Sequence, residues 1–436
     1  MKPRLLPATV LFVLGFASLS AARPPNVVLI ISDDQGWGDF GFMGHPAIQT
    51  PCLDRLAAQG LVFAQGHVPS SLCRPSLASI ITGLYAHQHG IACNDPPDGL
   101  PRAEMLRQRA RQIARMDKAA TLPRLLAPLG VRSMQTGKWW EGCYCRGGFD
   151  EGMTHGDPGR GGRHGDEGLK IGRQGLQPIF DFLDKQAGKP FFLWYAPMLP
   201  HEPHNPPQEL LRKYQAKTDS IHVARYWAMC EWFDQTCGEL LDYLDRKNLA
   251  RDTLVVFLAD NGWIQLPDSR GSSPKSKRSP YEGGLRTPIV LRWPGRIPPR
   301  RDDRTLAISI DLAPTILAAC GLKPSPDMQG VNLLDEKALA GRHAIFGEVF
   351  THSAVDVDRP AANGMYRWCL AERLKLIVPS RANVPLGSAA QGSAAQGRVE
   401  LFDLSADPLE ENNLAPSRPE EVNRLTEQLD AWWPGR

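Results

Sequence analysis

The chain carries no surplus of charge. Its 50 Lys and Arg stand against 47 Asp and Glu, a formal balance of +3 over 436 residues. Setting aside Lys2 and Arg4, which lie in a leader-like segment, brings the balance near +1 (3 − 2). That balance gives no reason to expect nucleic acid or an anionic membrane as a partner. A long apolar run is lacking too. Leu5–Leu19 comes nearest and is too short for a comfortable span. With Lys2 and Arg4 before it and Ser20-Ala21-Ala22 after it, residues 1–22 read as a signal peptide. No cysteine follows the small residues, so lipid attachment is not expected. The expectation is an exported protein, periplasmic or secreted, without a stable membrane anchor. The 9 cysteines lack the regular spacing of a stapled scaffold, and their pairing is not readable. Cys143 and Cys145 flank Tyr144, but no Cys or His pair at helical or hairpin spacing accompanies them, which argues against zinc.

What is present is an alternation. Short β-branched runs at Asn26–Ser32, Phe191–Tyr195, Thr253–Leu258 and Pro288–Trp293 read as buried parallel strands. Helical patterns at Leu176–Gln186 and Val223–Lys247 separate them, the rhythm of a doubly wound α/β sheet. Residues 145–168 and Pro267–Pro280 read as long polar loops, a common place for function. Beyond about residue 335 the pattern changes. His343–Phe350 and Trp368–Val378 read as antiparallel strands, Gly387–Gly397 as a low-complexity tip, and Arg418–Trp433 as a terminal helix. The expected division is a leader at 1–22, a main α/β domain at 23–335, and a small α+β subdomain at 336–436.

Chemistry gathers at strand ends. Asp33 and Asp34 close the first strand before a glycine-rich turn, and Asp260-Asn261-Gly262 closes another. In open α/β sheets the carboxyl ends of strands form the ligand crevice. Adjacent carboxylates there repel unless a cation lies between them. Three carboxylates and one amide oxygen suit a hard cation such as Ca²⁺, with ligand distances of roughly 2.3–2.6 Å. Cys73 precedes Arg74-Pro75-Ser76 and an apolar helical pattern, which places it at a helix N-terminus, where anions are favoured.

Cys73-Arg74-Pro75-Ser76 with Thr82-Gly83 resembles the signature of the type I sulfatases, in which the cysteine becomes formylglycine. Thr136-Gly137-Lys138-Trp139, Pro200-His201-Glu202-Pro203, Asp260-Asn261-Gly262, Tyr281-Glu282-Gly283-Gly284, Asp311-Leu312-Ala313-Pro314-Thr315 and Leu401-Phe402-Asp403-Leu404 follow in that family's order. The resemblance implies an alkaline-phosphatase-like fold: a doubly wound, mostly parallel sheet flanked by helices, with a small C-terminal α+β subdomain. It implies a sulfuric ester hydrolase acting on a sulfated carbohydrate, and a formylglycine-generating maturation enzyme as partner. Asp33, Asp34, Asp260, Asn261 and the modified Cys73 would bind one Ca²⁺ per chain. Lys138 and Lys277 would hold the sulfate oxygens, and His201 would protonate the leaving oxygen.

Two positions depart from the family pattern. Leu77 stands where an arginine usually ends the signature, and Trp140 stands where a histidine usually triggers sulfate release. Arg74 is the expected stand-in for the first, reaching the substrate beside Cys73. His164 or His155, just beyond Trp140, is expected to replace the second. Glu282 and Arg286 read as an ion pair that fixes a loop, and His87 and His89 as structural. Alternative readings are a phosphodiesterase or phosphonate monoester hydrolase on the same site, or a catalytically impaired sulfatase fold that binds sulfated glycans.

Overall fold

The computed structural model describes residues 23–156, 166–380 and 397–435. The leader, His164 and most of the low-complexity tip lie outside them.

β1 (Asn26–Ser32) is the heart of the main sheet, every residue buried. It runs parallel to β6 (Phe191–Ala196) on one side and β7 (Thr253–Ala259) on the other. Because successive side chains alternate across a strand, its residues serve two cores. Val27, Leu29 and Ile31 pack on the face that carries Ile80 and Ile81 of helix Cys73–Thr82. Val28 and Ile30 pack on the face that carries Met229, Phe233 and Leu240 of helix Ile221–Arg246. Each such aliphatic side chain, fully buried, contributes about 1.5–3 kcal/mol. Burial on both faces is why these strands read as continuous apolar runs.

The remaining strands are β2 (Leu61–Phe63), β3 (Gly66–His67), β4 (Arg132–Gly137), β5 (Glu151–Gly152), β8 (Ile289–Arg292), β9 (Arg300–Asp302) and β10 (Ala307–Ile308). The main sheet has 8 strands in the order β5-β4-β6-β1-β7-β8-β2-β9. β8 runs antiparallel to both its neighbours, and the other pairings are parallel. The mostly parallel, doubly wound expectation holds. Two details change: the run Pro288–Trp293, expected to be parallel, is the antiparallel β8, and the loop read at residues 145–168 contains the edge strand β5. Cys143 and Cys145 form a disulfide across Tyr144, and the other seven cysteines are free.

The C-terminal region forms a second sheet in the order β11 (Ala344–Phe350), β12 (Gly364–Ala371), β13 (Leu374–Pro379), β14 (Glu400–Asp403), all antiparallel. The run Trp368–Val378 is two strands and not one, folded back at Glu372, whose φ is 56°. Helix Pro419–Trp432 covers one face through Leu425 and Leu429. The other face joins the main core: Ile345, Val349, Trp368 and Ile377 pack in the same cluster as Val27 and Ile80. Lys375 of β13 is fully buried between Glu282 and Glu410, at 2.9 Å from each, and His67 Nε2 lies 3.1 Å from the same Glu282. A chain ending at Asp335 would expose that face and strand Glu282 and His67 without Lys375. We therefore expect such a truncation to be insoluble or inactive; a soluble, active product would show that residues 23–335 are self-sufficient.

Candidate active site

The parallel register of β1 and β7 puts Ser32 beside Ala259, so Asp33 and Asp34 emerge next to Asp260 and Asn261. The Asp260 N–H donates to the Ser32 carbonyl (2.9 Å), and the Gln35 N–H to the Asn261 carbonyl (3.2 Å). Asp34 has φ 60°. That left-handed conformation costs an L-residue about 1–2 kcal/mol. It is held by the Asp34 N–H donating to Asp260 Oδ1 (3.2 Å) and by Asn261 Nδ2 donating to Asp34 Oδ1 (2.7 Å).

Two lysines close on this group. Lys138 follows β4 directly after Gly137, whose φ is 77° and where a Cβ would lie 1.9 Å from the Ala196 carbonyl oxygen. Only glycine lets the chain turn there and send Lys138 inward. Its ammonium donates to Asp33 Oδ1 and to Asp260 Oδ2, the latter at 3.1 Å. Lys277, from the loop after β7, donates to Asp34 Oδ2 at 2.7 Å. His201 Nε2 lies 3.3 Å from that same oxygen, and its Nδ1 lies 2.8 Å from the Glu202 carbonyl. Cys73 begins helix Cys73–Thr82, and its sulfur lies within 4.8 Å of ligand atoms of Asp33, Asp34 and His201.

The electrostatics of this group are incomplete on protein atoms alone. Three carboxylates meet two ammoniums, one negative charge in excess. Burial pushes the Asp33 and Asp260 carboxyls up to about 6, against the pull of Lys138. Burial acts on Asp34 too, but Lys277, His201 and Lys138 outweigh it and hold that carboxyl below the usual range. Among the described residues, Asp33 Oδ2 and Asn261 Oδ1 are buried without a hydrogen-bond partner. Orphaned carboxylate and amide oxygens beside an uncompensated negative charge fit a hard divalent cation. Burial also pushes the Cys73 thiol up to about 11, although both lysine charges oppose it. A thiol so buried is a poor nucleophile at neutral pH. His201 is lowered to about 4, by burial first and then by the lysines, with Asp34 opposing.

Lys138, His201, Lys277, Asp33, Asp34, Cys73, Asp260 and Asn261 thus lie together in one cluster. Arg74 does not join them. It is neither beside the substrate position nor in solvent: its guanidinium is buried and paired bidentately with Glu141 (2.6 and 2.7 Å), with Gln112 and the Cys93 carbonyl as further acceptors. A side chain committed to a carboxylate behind the helix cannot also bind sulfate. Glu141, 67 residues away in sequence, carried no local signal of this pairing. Leu77 is packed in the main core. The Trp140 ring lies 5.7 Å from Lys138 Nζ. The His155 ring packs edge-on against Tyr144 and lies outside the cluster. His164 falls outside the described residues. Glu282 pairs with His67 and Lys375; Arg286 donates to the Ala64 carbonyl and lies over the Trp37 ring at 3.9 Å, so the expected Glu282–Arg286 pair is replaced by two separate contacts. His87 and His89 are structural, bound to Glu348 and Ser79. Arg173, which the sequence did not single out, donates to the Met198, His201 and Pro203 carbonyls and to Asn205, and so fixes the loop that presents His201.

The described residues contain no helix long and apolar enough to cross a membrane. The Sulfatase family model matches residues 25–322, and a model for the C-terminal part of N-sulphoglucosamine sulphohydrolase matches residues 275–377. The chain is 31% identical over 368 residues to N-acetylgalactosamine-6-sulfatase of Canis lupus familiaris, covering 74% of this chain and 68% of the relative. It is 29% identical to arylsulfatase A of Homo sapiens, covering 95% and 90%. Among solved structures, Ps i-CgsB in complex with k-i-k-neocarrahexaose superposes with a TM-score of 0.72 at 22% identity, over 95% of this chain and 94% of that one, which shows the same alkaline-phosphatase-like fold. With its signature, its fold and these matches in agreement, the chain belongs to the sulfatase family and is a sulfuric ester hydrolase.

Proposed function

We propose that the protein, after export, removes sulfate from a sulfated carbohydrate, using a formylglycine made from Cys73 and one bound calcium ion. The observation that carries the reading is the convergence of Cys73, at a helix start, with Asp33, Asp34 and His201 within 4.8 Å, flanked by Lys138 and Lys277. The carbohydrate is supported by the names of N-acetylgalactosamine-6-sulfatase and of the neocarrahexaose complex.

Asp33, Asp34, Asp260 and Asn261 would hold calcium, which supplies two positive charges and turns the excess of one negative charge into one positive, suited to a sulfate ester monoanion. An aldehyde at position 73, hydrated, would supply one hydroxyl to attack sulfur as the S–O bond to the alcohol breaks, and a second whose proton passes to water as the aldehyde C=O re-forms and the C–O bond to sulfate breaks. Lys138 and Lys277 reach the same point with fixed charge, and preorganised charge facing the sulfate oxygens stabilises the negative charge that builds there. His201 donates through Nδ1 to the Glu202 carbonyl, which fixes the ring and leaves Nε2 as the titrating nitrogen facing the centre. A proton on Nε2 can pass to the departing alcohol oxygen, and because His201 is lowered to about 4 only a small fraction carries that proton at neutral pH, so the rate should rise as pH falls toward that value.

The direct test is the mass of the Cys73 peptide from protein made in an exporting host. Conversion should lighten it by the difference between CH₂SH and CHO, and the converted fraction should scale with hydrolysis of N-acetylgalactosamine 6-sulfate. Activity from protein whose Cys73 is wholly unmodified would sink the nucleophile assignment. A matched phosphate ester cleaved faster than the sulfate ester would sink the substrate class.

A further inference from the structure

We infer that the cleft beyond His201 is a subsite for a second negative charge on the substrate, a carboxylate or second sulfate on the sugar next to the sulfated one, bound by Arg225 and Arg270. This rests on the reading of the site as one for a sulfated carbohydrate. The cleft measures about 790 Å³, within the usual range for ligand sites. Part of its wall is Glu202–Pro206, the segment that directly follows His201. Arg225 enters from the start of helix Ile221–Arg246, and Arg270 from the loop that also carries Lys277. The cleft is therefore built from continuations of two segments that already present groups to the reacting centre, and a substrate extended by one sugar would run into it.

Charge decides the ligand class. Arg225 is half-buried and Arg270 exposed; neither makes a hydrogen bond or a close ion pair among the described residues, and Arg270 acts on Glu202 only at longer range. Arg173, beside them, shows the contrast: its guanidinium is spent on three carbonyls and Asn205. A partly buried guanidinium without an acceptor loses solvation for no return unless a ligand supplies one. Two arginines against Glu202 leave the cleft with one positive charge, counting the histidines as neutral (2 − 1). The planar guanidinium fork matches a carboxylate or sulfate bidentately, whereas the Glu202 carboxylate can only accept, as sugar hydroxyls require. His204 is fixed in the wall by ring contacts to Tyr226 and Trp263, with centroids at 5.6 and 6.2 Å.

The experiment compares N-acetylgalactosamine 6-sulfate in three disaccharides: linked to a uronate, to a second sulfated sugar, and to a neutral hexose. The readout is the ratio of kcat/KM for each anionic form over the neutral one, for wild type, Arg225→Met and Arg270→Met. Wild type should favour one anionic form by about tenfold or more, each variant should bring that ratio close to one, and the favoured form identifies the anion. Equal wild-type rates, or a preference that both variants keep, would overturn the subsite. Calorimetric titration of the same proteins with the same disaccharides separates this from the proposed function. If nothing is hydrolysed but binding of an anionic form still depends on both arginines, the subsite stands and the catalytic reading falls. Binding that ignores both arginines overturns the subsite whatever the turnover.

Discussion

Glu141→Gln should lower the stability of the protein by about 3–5 kcal/mol, the usual loss when one partner of a buried ion pair is removed. Arg74 and Glu141 are almost wholly buried and share two short hydrogen bonds, so neutralising the carboxylate leaves a guanidinium charge in the core. Gln112 and the Cys93 carbonyl remain as acceptors but carry no countercharge. With an unfolding entropy of about 2 cal/mol/K per residue, the melting midpoint should fall by roughly 4–6 °C. The damage should be local first. The Arg74 N–H donates to Asn94 Oδ1 (3.0 Å) at the first turn of the helix that begins with Cys73, and loosening that turn should lower kcat before the protein melts. A midpoint within a degree of wild type would mean that the pair contributes little and that Arg74 is better solvated than its burial implies.

Asp260→Ala should remove calcium and activity together, with a rate loss on the order of a hundredfold to a thousandfold, as for other preorganised charge at a reacting centre. Stability should change little. The carboxyl is fully buried and already pushed up to about 6, so its ionised form is costly in the free protein, and Lys138 keeps Asp33 as a partner. Elemental analysis and a thermal melt of the purified variant would check both halves. Retained calcium with an unchanged rate would take Asp260 out of the site.

The sequence shows most clearly what repetition and burial make redundant. β1, β6 and β7 were legible because a strand covered on both faces must be apolar throughout. β4 (RSMQTG) was not, although it is just as deep. Its polar side chains are satisfied internally: Thr136 donates to the Trp194 carbonyl, Gln135 to the Gly137 carbonyl, and Ser133 to Asp150. Helix Arg102–Ala114 was missed for the opposite reason, since Gln112 is its one buried residue and no apolar stripe marks it. Asp33, Asp34, Asp260 and Asn261 were legible as motifs at strand ends, and the register of β1 and β7 brings them together, whereas Cys73 comes from a helix start and Lys277 from a loop. The role of Arg74 was not legible. Spacing along a helix says which face a residue takes, but not which distant carboxylate waits there. The unpaired arginines of the cleft were invisible for a related reason: a missing partner is a property of three dimensions.

The buried contact between Lys375, Glu282 and Glu410 sets an order of events in the life of the chain. Cys73 is 2% exposed in the finished fold, out of reach of any modifying enzyme. Lys375 and Glu410, which lock the segment downstream of Lys277, leave the ribosome long after Cys73 does. Until they arrive, the Glu282 loop lacks its anchor and the second sheet cannot close over the first core. Under the proposed function, that delay is the interval in which Cys73 would be open to conversion, and the same late residues would end it. A substitution that speeds closure of the C-terminal sheet would therefore yield a well-folded protein with less of its nucleophile made.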